Sequence, residues 1–147
     1  MQNKMKRNRW LIASLFIMGL IFSFSADHAA ASDAKSSFIV DGLYPWFQGF
    51  CSIDQFTFLI RKTAHFSIYA ALGVCVYQMF AADAHTRSHA LLWCVLLCFL
   101  YACSDEAHQL FSKGRSGQFS DVLLDTCGSV CGAFFIRWVR QACTRKR

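Results

Sequence analysis

Four long apolar runs divide the chain, roughly Trp10–Ser25, Thr63–Ala82, Ala90–Cys103 and Val122–Val139. No Asp, Glu, Lys or Arg falls within the first or the second, although His65 lies inside the second. The third, ALLWCVLLCFLYAC, reads on as a helix through SDEAHQLF, and the fourth is interrupted by Asp125 and Arg137. A spanning helix needs about 20 predominantly apolar residues, range roughly 17–25. Each run meets that length once its polar ends reach the headgroups. The pattern predicts an all-α membrane protein, a bundle of four transmembrane helices. Between the first two runs, the stretch 38–60 is dense in aromatics, as in LYPWFQGF and IDQFTFLI. Ile53, Phe56 and Ile60 recur at i, i+3 and i+7, which predicts a short interfacial helix in this first outer loop, leading into the second span. Such a segment serves as a lid on the bundle or as a platform against lipid, and its pattern fits both.

Composition supports the membrane reading. Of 147 residues, 55% are hydrophobic and 16% charged, against about 25% charged in average soluble domains. That balance excludes a disordered chain. The net charge of +6 gathers at the ends: Lys4, Lys6, Arg7 and Arg9 precede the first run, and Arg137, Arg140, Arg145, Lys146 and Arg147 close the last. The positive-inside rule then places both termini in the cytoplasm, which requires an even number of spans. The resulting layout is a basic cytoplasmic N-terminus (1–9), a transmembrane domain (10–139) and a basic cytoplasmic tail (140–147). Because each basic cluster abuts an apolar run, membrane orientation accounts for it and nucleic acid is not an expected partner. The first run also fits a signal peptide with an A-x-A-like site in His28–Ser32. A retained anchor is the preferred reading, and both readings leave the loops on the same sides. Six of the eight cysteines, Cys75, Cys94, Cys98, Cys103, Cys127 and Cys131, fall in or beside spans, where they act as small apolar residues. Cys51 outside and Cys143 inside cannot pair.

The remaining charge collects at the outer ends of the second, third and fourth spans. Arg61, His65, Tyr69 and Gly73 recur at i+4 on one stripe of the second span. At the end of the third, Asp105 and His108 are i,i+3 neighbours, Asp105 and Gln109 are i,i+4, and Glu106 points about 100° from Asp105. The hairpin KGRSGQF carries Lys113 and Arg115. In the fourth, Asp121, Asp125, Gly128 and Gly132 share a stripe, and Gly128–Gly132 is a GxxxG pair of the kind that lets helix backbones approach. Carboxylates and close-packing surface therefore share a face turned into the bundle. Arg61, Lys62, Lys113 and Arg115 balance Asp105, Glu106, Asp121 and Asp125. An ionised side chain at the bilayer centre costs about 2.5–3.5 kcal/mol, so these residues are expected together in one partly hydrated pocket open to the outside.

These residues resemble the VanZ-like family: R-K-x-x-H-F-x-x-Y opens one span, and D-E-x-H-Q-x-F, a following Arg, and D-x-x-x-D/N-x-x-G cross the next hairpin. The likeness covers roughly residues 10 to 136. It implies a small integral protein of the bacterial cytoplasmic membrane, related to glycopeptide (teicoplanin-type) resistance, without settling a molecular activity. The matching positions are Lys62, His65, Phe66, Tyr69, Asp105, Glu106, His108, Gln109, Phe111, Arg115, Asp121, Asp125 and Gly128. Two positions depart from the family pattern. Asp125 stands where Asn is frequent, which adds an acid, and Lys113 stands where Pro is common, which adds a positive charge.

Several functions compete for this cluster. As a binding module, the pocket takes an anionic envelope ligand through Arg115, Arg61 and Lys62, because the planar guanidinium donates in pairs, with His65, Gln109, Asp121 and Asp125 as further contacts. The expected partners are membrane lipids and a cell-wall precursor or lipoglycopeptide. As an enzyme acting on an envelope lipid, it uses Glu106 or His108, with Asp105 nearby, as acid and base. A metal-dependent hydrolase with His65, Asp105, His108 and Asp121 as ligands finds support only in the Asp105–His108 spacing, and neither metal nor other cofactor is expected. In the scaffold alternative, the charges pair to fix packing, His65 and His108 are hydrogen-bonded helix-end residues, and Asp121 caps its own helix.

Overall fold

The computed structural model describes residues 2–26, 38–111 and 118–145. Among them there are no strands. There are four long helices, α1 (Gln2–Ala26), α3 (Ile53–Ala82), α4 (Ala90–Gln109) and α5 (Phe119–Arg145), with a small helix α2 (38–43) and two 3-10 turns, Tyr44–Trp46 and Arg87–His89. All four long helices are long and apolar enough to cross a membrane, and the chain is a multi-pass membrane protein. The helices expose Ile12, Phe16, Leu92, Leu100, Phe135 and Trp138 outward. Apolar surface on that scale belongs in contact with lipid.

Helix boundaries follow from local chemistry. The Ser52 hydroxyl accepts from the Gln55 N–H at 3.3 Å while the Gln55 side chain accepts from the Ser52 N–H at 3.1 Å, so a reciprocal cap starts α3 at Ile53. No Pro or Gly interrupts the path from there into the apolar run. Ile53, Phe56 and Ile60 therefore form the first turns of one 30-residue helix rather than a separate interfacial piece. The short helix of this loop lies earlier, in α2 and the turn that follows it. Its aromatics do two jobs. Tyr44 and Phe47 pack on Phe56, with ring centroids 5.7 and 5.2 Å away, whereas Phe38, Trp46 and Phe50 stay exposed.

α3 ends at Asp83, whose extended backbone breaks the helix. The Thr86 hydroxyl donates to the Phe80 carbonyl at 2.8 Å and Arg87 Nε to the Ala81 carbonyl at 3.1 Å, which satisfies groups left open by the last turn. Within α1, Ser14 and Ser23 donate to the Trp10 and Gly19 carbonyls, a back-bond that makes a hydroxyl tolerable in a span.

α3 packs against the other three long helices, and α4 fills the space beside α3 and α5. The core side of α4 is lined by small residues at i+4 steps, Ala90, Cys94, Cys98 and Ala102, and continues into the acids Asp105 and Glu106. Tyr69, Leu72 and Val76 of α3 lie opposite, fully buried. α1 is fastened to α4 by the Tyr101 hydroxyl, which donates to the Met18 carbonyl at 2.6 Å. All eight cysteines are free thiols.

Candidate functional site

α3 and α5 run parallel with their backbones in contact. A Cβ on Gly128 would strike the Phe66 carbonyl, one on Gly132 the Ala70 carbonyl, and one on Gly73 the Ser129 carbonyl. Only glycine permits that approach, and the three contacts fix the register between the helices. One turn before these contacts, on the same faces, the register places His65 against Asp125.

His65 Nδ1 stands 3.7 Å from Asp125 Oδ2. Asp125 is completely buried, and neither of its oxygens has a hydrogen-bond partner among the described residues. Asp105 reaches the same point from α4. Ligand-type atoms of His65, Asp105 and Asp125 all lie within 4.8 Å of one another. Asp105 Oδ2 accepts from Gln109 Nε2 at 3.4 Å, while its Oδ1 is unpartnered. Gln109 Nε2 also faces Ser25 Oγ on α1 at 3.4 Å. The Tyr69 hydroxyl, buried and without a partner, lies within electrostatic reach of both aspartates.

A second group surrounds the start of α5. Glu106 Oε2 accepts the Gln118 N–H at 2.9 Å, and Oε1 is left buried and unpaired. Lys62 forms an ion pair with Asp121 and lies over the Phe58 ring, 5.0 Å from its centroid. Asp121 sits in the first turn of α5, where a carboxylate suits the positive end of the helix dipole. His108 stacks on Phe22 of α1 at 4.4 Å, with Nε2 buried and unpartnered. Arg61, half-buried, is on the same turn as Lys62. Arg115 and Lys113 lie outside the described residues.

The structure therefore gathers His65, Asp105 and Asp125, keeps Gln109, Glu106 and Tyr69 beside them, and holds Lys62 and Asp121 as a pair at the rim. Of the four metal ligands considered from sequence, His65 and Asp105 meet. Asp121 is engaged by Lys62 and His108 by Phe22, and Asp125 takes the third place. Ser25 and Phe22 enter from α1 with no sequence signal, since a serine or phenylalanine in an apolar run reads as ordinary span. At the opposite end of the bundle, a cavity of about 390 Å³ is lined by Arg87, Arg137 and Arg140 among others, and contains none of the candidate site residues.

No curated protein and no solved structure matches the chain. The VanZ/LLP1 family model matches residues 10–140, which takes in every helix that carries the buried acids. The ordered run of polar residues, the four spans and that match agree, and the chain belongs to the VanZ/LLP1 family.

Proposed function

We propose that this protein sits in the bacterial cytoplasmic membrane with both termini inside, and that its polar end opens outward to hold the headgroup of an anionic envelope ligand. The ligand is a lipid-linked cell-wall precursor or a lipoglycopeptide, and holding it contributes to teicoplanin-type resistance. The basic ends of α1 and α5 support the orientation.

One observation carries the reading. Tyr69, Asp105, Glu106, His108 and Asp125 each keep a buried polar atom with no partner among the described residues. A packing network satisfies its buried polar groups, and each one left open costs about 1–3 kcal/mol. Polar groups of a bound headgroup answer the open atoms of Tyr69, Glu106 and His108, while its phosphate or carboxylate meets Arg61, Lys62 and Arg115. A second reading, acid–base catalysis on the same lipid, draws on Glu106: one oxygen is fixed by the Gln118 N–H and the other is buried and unpaired.

The test is the teicoplanin susceptibility of a sensitive host expressing the wild type or Glu106→Gln at equal membrane abundance. Protection by the wild type and its loss in the variant support the reading. Equal protection by both removes Glu106 from it. Loss only in proportion to lost protein leaves a packing network.

A further inference from the structure

We propose that His65, Asp105 and Asp125 form a binding site for one divalent transition-metal cation, set between α3, α4 and α5. The inference does not depend on the proposed ligand, since it rests on the side chains alone.

Three observations converge. The first is donor chemistry: one imidazole nitrogen and two carboxylate oxygens suit Zn²⁺ or Mn²⁺. Three protein donors leave a position for water or for an anionic oxygen, as in open zinc sites. The second is geometry. The donor atoms lie within 4.8 Å of one another, and the His65–Asp125 pair is at 3.7 Å. Two donors on a tetrahedral ion at about 2.1 Å stand about 3.4 Å apart, so small side-chain rotations close the set. The backbones that carry His65 and Asp125 are already locked by Gly128, Gly132 and Gly73.

The third is the state of the carboxylates. Asp125 is 0% and Asp105 3% exposed, and three of their four oxygens have no hydrogen-bond partner among the described residues. A buried carboxylate is retained when it is paired or bound to a metal. The ammonium of Lys62 is engaged by Asp121, and a cation between the three donors takes one oxygen from each aspartate.

The experiment uses full-length protein in detergent, stripped with chelator, incubated with Zn²⁺ or Mn²⁺, desalted and assayed for metal by mass spectrometry, with melting temperature read in parallel. The wild type is expected to retain one ion per chain and to melt higher when loaded. His65→Gln and Asp125→Asn are expected to weaken retention at least tenfold and to lose the shift. Asp83→Asn, at the far end of the bundle, is expected to keep both. Asp105→Asn tests the third donor, and a cooperative melt of each variant without metal shows that it has folded. A wild type that retains neither ion and shows no shift overturns the site. So does Zn²⁺ that stays bound in His65→Gln and Asp125→Asn, which places the metal on thiols such as Cys94 and Cys98.

Discussion

His65 and Asp125 meet across α3 and α5, Nδ1 to Oδ2 at 3.7 Å, immediately beyond the surface where Gly128 and Gly132 let the two backbones touch. The pair is thus a consequence of packing. Side chains of ordinary size at the glycines would hold the helices apart and carry the imidazole away from the carboxylate.

Gly128→Leu and Gly132→Leu are expected to destabilise the bundle. Overpacking commonly costs about 1–3 kcal/mol, and here the new side chain meets rigid backbone carbonyls. Thermal unfolding in detergent measures it. If both variants melt like the wild type, α3 and α5 are not in backbone contact.

Orientation is open to thiol chemistry. Cys51 is partly exposed at the polar end and Cys143 exposed near the C-terminus of α5. In single-cysteine variants, a membrane-impermeant reagent applied to intact cells is expected to label Cys51, and to label Cys143 only after permeabilisation. The reverse order would turn the polar end toward the cytoplasm.

The far end of the bundle has its own pH dependence. The His85 N–H, at 2.9 Å, and the Arg7 guanidinium, at 2.5 Å, hold the Asp83 carboxyl below its usual 3.8. A lowered carboxyl stabilises the fold while ionised, so the contribution is full above that value and is lost as pH falls through the lower folded one. Both side chains are partly exposed, and the effect is small. Asp83→Asn is expected to melt slightly below the wild type at neutral pH, with the gap closing below about pH 3.8. A gap that persists in acid would assign it to lost hydrogen bonds instead.

Arg115→Lys separates recognition from charge. If Arg115 grips a phosphate or carboxylate bidentately, an ammonium cannot reproduce the fork. The variant is expected to accumulate normally and to lose protection against the glycopeptide. Full protection at equal abundance would show that positive charge alone suffices.

Much of the architecture was legible from the chain alone. Four long apolar runs and the basic ends specify four spans, because lipid tolerates neither unpaired backbone nor stray charge. Helical periodicity placed His65 with Tyr69 and Gly73, and Asp125 with Gly128 and Gly132, on shared faces. The ordered Asp-Glu-x-His-Gln run pointed to the family. Periodicity, however, says which residues share a face and not which helix that face meets. Only the tertiary structure decided that α3 and α5 lie side by side in parallel, that Asp125 rather than Asp121 or His108 joins His65 and Asp105, and that Phe22 and Ser25 of α1 close the site. Those choices depend on where backbone can touch backbone. That is set by the fit of three glycines against carbonyls on a helix more than fifty residues away in the chain, a match of surfaces that no local pattern records.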